Sequence, residues 1–185
     1  MPIPTEVTPL GTSGAIPTAD RHLSGLALRR EGRVLLFDCG EGTQLRLLRA
    51  GLLGNRLEAV FITHLHGDHV YGLPGLLSTL GLLDRSAPLT LVGPEGLADL
   101  LAAMPGLSLG DGPYPLHITE LPETLQHETV YRTSDFRVEA RPLAHRVPCV
   151  GYRYAEASRP GRFDAQAARE AGVTPGPDFE VLARG

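Results

Sequence analysis

One short window constrains this chain more than any other. His64-Leu65-His66-Gly67-Asp68-His69 sets three imidazoles and a carboxylate directly after the apolar run Ala59-Val60-Phe61-Ile62 and Thr63. Such a run, bounded by polar residues, reads as a buried strand from Leu57 to Ile62, so the cluster rides on the loop that leaves a strand. Neutral imidazole nitrogen and carboxylate oxygen are ligands that zinc prefers, and a hydrolytic zinc keeps one position open for water. On an irregular loop, His64 and His66 can face one metal while Asp68 and His69 face another. Two metals about 3.5–4 Å apart can clamp the attacking and leaving oxygens of a displacement at phosphorus. A chance histidine-rich surface loop is the plain alternative. The placement after an apolar strand, with Gly67 and Gly72 at either side, argues against it.

The remaining pattern is that of an α/β protein. Glu6 to Leu10, Leu23 to Arg30 and Arg33 to Asp38 read as strands, the last two joined at Glu31-Gly32 by a hairpin turn. Asp38 closes the third strand ahead of Gly40 and Gly42, which suits a buried polar group that holds a loop in place. Glu41 to Leu48 reads as an amphipathic helix with Leu45, Leu47 and Leu48 on its apolar side. Val70 to Leu83 is helix-like but interrupted by Gly72, Pro74 and Gly75. A strand at Leu89 to Val92 and a helix from Pro94 to Ala103 follow. Residues 105–115 read as loop, and Leu116 to Leu121, Phe136 to Leu143 and Cys149 to Tyr154 as strands. Asp164 is the expected N-cap of a helix ending before Gly172. Val173 to Asp178, rich in Pro and Gly, is expected to be irregular. Hairpins near the start mean the sheet is not purely parallel, and the long apolar strands mean that it is largely covered.

Composition bounds the function classes. The 185 residues suffice for one domain of ordinary size. No apolar run approaches a membrane span, and the N-terminus has no basic and apolar export pattern, so a cytoplasmic protein without membrane association is expected. Two cysteines, Cys39 and Cys149, are expected as free thiols. The net charge of −4 argues against a general nucleic-acid binder. The charge is uneven: residues 1–140 carry 10 Arg against 16 acidic residues, and residues 141–185 carry 7 Arg against 5. With no lysine in the chain, any phosphate contact must use arginine forks.

The histidine window resembles the H-x-H-x-D-H signature of the metallo-β-lactamase superfamily. Its surroundings narrow the likeness. Phe37-Asp38-Cys39-Gly40-Glu41-Gly42-Thr43-Gln44, followed by Thr63-His64-Leu65-His66-Gly67-Asp68-His69-Val70-Tyr71-Gly72-Leu73-Pro74-Gly75-Leu76, is similar to bacterial ribonuclease Z. The likeness runs along nearly the whole chain and includes Gly93-Pro94-Glu95-Gly96. It implies a metallo-β-lactamase-type αββα sandwich, of which this chain would be the N-terminal portion. It also implies a zinc-dependent endoribonuclease that removes 3′ trailers from precursor tRNA and leaves a 3′-hydroxyl, working as a homodimer with two zinc ions per complete site.

Carried over residue by residue, the resemblance makes His64, His66 and His145 ligands of a first zinc. Asp68 and His69 become ligands of a second, with Asp68 also the candidate general base. Asp38 matches the aspartate that braces the histidine loop from outside the ligand set. His22, His117 and His127 default to surface or structural roles. Residues 1–155 would form the N-terminal part of the domain, and 156–185 the start of a Gly/Pro-rich exosite arm that grips tRNA. Pro175, Gly176 and Pro177 carry that likeness, although on composition alone they read as a linker. In the loop Ile16 to His22, Arg21 matches an RNA-contacting position of the family. Ala19 and His22 stand where relatives have lysine and asparagine, which puts discrimination against CCA-ended tRNA in doubt.

The family pattern requires two further ligands, an aspartate and a histidine. After His145 there is no histidine, and the only aspartates are Asp164 and Asp178, neither in the required context. The expectation is therefore a fragment that is weak or inactive by itself. It would expose a large apolar face and need its C-terminal half in cis or in trans. Another hydrolase of the same fold and a non-catalytic metal- or RNA-binding module are the alternatives.

Overall fold

The computed structural model describes residues 4–107, 112–158 and 163–184, and part of the expected loop at 105–115 falls outside them. Nine strands and six helices are defined among the described residues. β1 (Thr5–Gly11), β2 (Gly25–Arg30), β3 (Arg33–Phe37), β4 (Leu57–Phe61), β5 (Leu89–Pro94) and β6 (Leu116–Leu121) form one sheet in sequence order. β1–β2–β3 pair antiparallel and β3–β4–β5–β6 parallel, so the sheet is mixed, as the early hairpins require. The turn between β2 and β3 has Glu31 at φ 49° and Gly32 at φ 81°, the geometry that matches the twist of a tight hairpin. β7 (Glu128–Arg132), β8 (Phe136–Pro142) and β9 (Val150–Glu156) form a second, antiparallel sheet.

The six-stranded sheet is covered on both faces. On one side α1 (Thr43–Arg49), α3 (Leu73–Leu82) and α4 (Leu97–Ala102) bury Leu47, Leu73, Leu76, Leu80, Leu97 and Leu101 against Val34, Leu36, Val60 and Leu91. On the other, Leu35, Ala59, Phe61 and Val92 meet Phe136, Val138, Ala140 and Val150 of the second sheet. Continuous apolar strands are what a doubly covered sheet demands, and each large side chain buried this way contributes about 1.5–3 kcal/mol. The fold class is thus the α/β layering expected: helices, mixed sheet, second sheet.

The outer face of the second sheet is ionic. β8 and β9 alternate, with Val138, Ala140 and Val150 turned inward. Outside, Glu139 pairs with Arg137 at 2.7 Å, Arg153 at 3.2 Å and His127 at 3.4 Å. Period-2 alternation sends polar residues outward, and here those residues are ionic.

Smaller departures have local causes. α1 buries Leu47, while Leu45 and Leu48 are half or more exposed. Pro94 ends β5 instead of opening the next helix, because Gly96, at φ 91°, sets the break before α4. The interrupted stretch after the histidines resolves into a single turn, α2 (Gly67–Val70), and then α3, with Pro74 in the first turn where its missing N–H is harmless. β7 has no counterpart among the expected strands, since Glu128-Thr129-Val130-Tyr131-Arg132 is short and bulged at Thr129/Tyr131. Asp164 caps α5 (Ala165–Glu170), accepting from the amides of Gln166 and Ala167 at 3.0 Å each. α6 (Pro177–Arg184) corrects the expectation of an irregular tail: Pro177 is pre-set for a first helical position, and Asp178 and Glu180 suit the positive helix end. No helix among the described residues is long and apolar enough to cross a membrane.

Candidate metal centre

The site lies at the carboxyl ends of the parallel strands, where α/β sheets open a crevice. β3 and β4 run side by side with Phe37 opposite Phe61. The residues that follow them, Asp38 and Thr63, therefore emerge next to each other. Asp38 has φ 61°, a left-handed conformation that aspartate tolerates better than most residues. Its carboxylate turns towards the histidine loop. Oδ1 accepts from the Thr63 amide at 2.8 Å, both oxygens lie 3.0 Å from Thr63 Oγ1, and Oδ2 lies 2.8 Å from His69 Nδ1.

Two glycines let the loops close on each other. A Cβ on Gly40 would fall 2.2 Å from the Asp68 carbonyl oxygen, and one on Gly72 would fall 2.0 Å from the Gly40 carbonyl oxygen. In that close approach the Cys39 amide donates to the His69 carbonyl at 2.8 Å, and the Gly72 amide to the Cys39 carbonyl at 2.9 Å. The second sheet is tied in by the Val150 amide, which donates to the Thr63 carbonyl at 2.8 Å. The Leu143 amide donates to the Cys149 carbonyl at 2.8 Å and pinches the loop that carries His145.

The result brings His64, His66 and His145 together, with their ligand atoms all within 4.8 Å of one another. Their rings stand edge to face, with centroids 4.7 Å apart for His64 and His66 and 4.8 Å for His64 and His145. His69 lies against this trio, its ring 4.0 Å from that of His64, and its Nε2 is 3.4 Å from Asp68 Oδ2. Three convergent imidazoles plus an adjoining histidine–carboxylate pair are the donor chemistry of a borderline-soft divalent metal, so the residues fit a zinc-type ion.

The electrostatics agree. Burial first, then the neighbouring His69 and His66 rings, pushes the His64 imidazole down to about 4, so it is neutral and able to donate a lone pair at pH 7. The hydrogen bond to Asp38 raises His69 against burial. Burial alone would raise the Asp68 carboxyl, but the Ala15 amide at 2.8 Å and His69 outweigh it and hold the group below its ordinary value.

The other expected site residues fall elsewhere. Arg21 is exposed in the loop between β1 and β2, and its amide is held by Thr18 Oγ1 at 3.0 Å. Pro175 and Gly176 lie between α5 and α6, and Pro177 opens α6, all three exposed. Two contributors were missed in the sequence. Thr63 sits at the hub of the Asp38 hydrogen bonds; its signal was a hydroxyl at the strand exit beside a strand-end aspartate. Ala15, at φ 55°, brings a backbone amide to Asp68, and no side-chain pattern could have shown it.

A parallel sheet end that presents clustered histidines and a braced carboxylate defines a metal-binding α/β protein. Residues 20–158 match the Metallo-beta-lactamase superfamily. The ribonuclease Z of Salinibacter ruber is 54% identical over 181 residues, covering 97% of this chain and 56% of the relative. That of Acaryochloris marina is 43% identical over 182 residues, covering 97% and 57%. Among solved structures, human tRNase Z, short form, superposes with a TM-score of 0.75 at 30% identity, covering 96% of this chain and 88% of that one. The chain belongs to the metallo-β-lactamase superfamily, and within it to the ribonuclease Z family. It spans about half the length of the curated relatives it matches.

Proposed function

We propose that this chain carries the first half of the active site of a zinc-dependent endoribonuclease that removes 3′ trailers from precursor tRNA in the cytoplasm. The observation that carries this is the convergence of His64, His66 and His145 beside Asp68 and His69 in a chain 54% identical to a ribonuclease Z. His64, His66 and His145 would hold one zinc, and Asp68 and His69 would begin the site of a second. When bound, such ions supply Lewis acidity and bring the pKa of coordinated water to roughly 7. Asp68 Oδ2 is held by the Ala15 amide, which leaves Oδ1 to take the proton of the attacking water. The ligands that complete the second site would come from the part of the fold that the longer relatives possess, in cis or in trans.

The RNA would be gripped beyond the reaction centre. Residues 1–155 form the proposed N-terminal part of the catalytic domain and 156–185 the start of an exosite arm. Phe163, just ahead of α5, and Phe179 of α6 pack together in that arm, their rings 4.9 Å apart. Arg21 on the β1–β2 loop, with Pro175, Gly176 and Pro177 on the arm, would contact the tRNA. A homodimer is the proposed assembly: α1 exposes Leu45 and Leu48, and α3 exposes Leu82, an apolar set on one helical layer.

The test compares this chain alone with the same chain completed by the C-terminal part of the Salinibacter ruber relative. Each is offered a precursor tRNA with a 3′ trailer and a small phosphodiester. The completed protein should cleave the tRNA to a 3′-hydroxyl end, the chain alone weakly or not at all, and H64A or D68A should abolish cleavage. Turnover of the small ester only would sink the tRNA assignment. Metal and tRNA binding without cleavage by the completed protein would favour a non-catalytic binding module instead.

A further inference from the structure

Thr63 occupies a position that neither a metal ligand nor a simple loop residue needs. Its hydroxyl has one proton and lies 3.0 Å from both Asp38 oxygens, 2.9 Å from His64 Nδ1 and 3.4 Å from His69 Nδ1, the last of which is already engaged by Asp38 Oδ2 at 2.8 Å. An ionised carboxylate only accepts hydrogen bonds. If the Thr63 proton pointed at His64 instead, oxygen lone pairs would face each other across both 3.0 Å contacts. The proton therefore goes to Asp38, and the only bond left between Thr63 Oγ1 and His64 is one in which His64 Nδ1–H donates. This places the lone pair of the neutral imidazole on Nε2.

We infer that Thr63 is a positioning residue that relays Asp38 to His64, so that one carboxylate sets the tautomer of a histidine in each half of the centre. His69 is set directly, its Nδ1–H donating to Asp38 Oδ2 at 2.8 Å. His64, one residue beyond the reach of that carboxylate, is set through the Thr63 hydroxyl. A histidine that ligates a metal through one nitrogen is oriented by the hydrogen bond at the other. Here that orientation is supplied by hydrogen bonds within the chain. The Thr63 amide, also held by Asp38 Oδ1, fixes the hydroxyl against rotation of the loop as a whole. Free imidazole carries no such preference for the Nδ1–H form, so the relay has a detectable consequence in the metal-free chain. The inference extends the metal-centre proposal, but its primary readout requires neither a metal nor a tRNA substrate.

The experiment is long-range ¹H–¹⁵N correlation NMR of the imidazole rings in the metal-free chain at a pH where the histidines are neutral. Wild type should show His64 and His69 both protonated at Nδ1. T63V, which removes the hydroxyl and keeps the shape, should lose that state for His64 and retain it for His69. T63S should restore it. Zinc affinity measured by competition with a chelator should fall about 10–100-fold in T63V and recover in T63S. His64 protonated at Nε2 in wild type, or unchanged in T63V, overturns the relay. If T63V fails to fold, wild type and T63S still expose the relay to refutation, because it requires the Nδ1–H state in both. Loss of zinc affinity with an unaltered tautomer assigns Thr63 a packing role and also refutes it.

Discussion

Replacing Asp38 with alanine tests the centre at its brace. The substitution strips the acceptors from the Thr63 amide, the Thr63 hydroxyl and His69 Nδ1. The hydroxyl can turn elsewhere, but the amide is fixed by the strand exit and the imidazole is part-buried against the His64 ring. Leaving a buried donor unsatisfied costs about 1–3 kcal/mol, so two donors cost about 2–6. Alanine at φ 61° adds about 1 kcal/mol of backbone strain that aspartate largely escapes. A loss of about 3–7 kcal/mol is a large share of the 5–15 kcal/mol typical of a domain. With a urea m-value near 2 kcal/mol/M, the midpoint should drop by about 1.5–3.5 M in a melt followed by circular dichroism. D38N keeps the left-handed backbone and one acceptor, and should lie between wild type and D38A. Zinc affinity should fall about 10–100-fold in both. A D38A midpoint and zinc affinity equal to wild type would refute the account of Asp38 as the brace of both histidine pairs.

Other positions give independent checks. G72A sets a Cβ 2.0 Å from the Gly40 carbonyl oxygen, so backbone must move; a loss of about 1–3 kcal/mol and weakened zinc binding are expected, read by urea melts and chelator competition. Cys39 is fully buried with its thiol pushed far up by desolvation, and Cys149 is partly exposed, so iodoacetamide should label Cys149 first and reach Cys39 only on unfolding. Mass spectrometry that finds Cys39 modified in the native chain would contradict the buried strand exit. E156A removes the carboxylate that pairs β9 with Arg30 of β2, and should cost about 1.5–3 kcal/mol in the same melts. L45E combined with L48E should convert a dimer to monomer by light scattering without lowering the melting point; an unchanged mass would move the proposed interface elsewhere.

Which parts of the molecule were legible in the sequence follows from the range of the interactions. Strands buried on both faces announce themselves as apolar runs, so β3, β4 and β5 stand within a residue or two of their expected places apart from the reach of β5 to Pro94. The Asp164 cap is equally local. β7 was invisible because its stability is borrowed: Val130 and Tyr131 pack against the second core, and Tyr131 donates to Glu58 Oε2 at 3.1 Å, a partner far away in the chain. The alternation of β8 is local too and can be read from Phe136-Arg137-Val138-Glu139-Ala140-Arg141. The helix α6 is masked in the sequence because its first two residues, Pro177 and Asp178, close a run rich in Pro and Gly, whereas the position of Pro177 makes it a first-turn residue.

The centre itself shows the same division. His64, His66, Asp68 and His69 are near neighbours in the sequence, and their density alone identified them. His145 could be named only through family likeness, because nothing within its own segment brings it to the others. What does is the second sheet. The Val150 amide reaches the Thr63 carbonyl at 2.8 Å, and Tyr152 donates its hydroxyl to the Ile62 carbonyl at 2.8 Å. Both bonds grip the two residues immediately before His64, so β9 is registered against the exit of β4 and not merely stacked on it. With that register set, the loop from Pro142 to Cys149 has one place to go, over the histidines. The sandwich interface and the metal centre therefore depend on each other: a change that lets the sheets slide would move His145 off the trio before it unfolded either sheet.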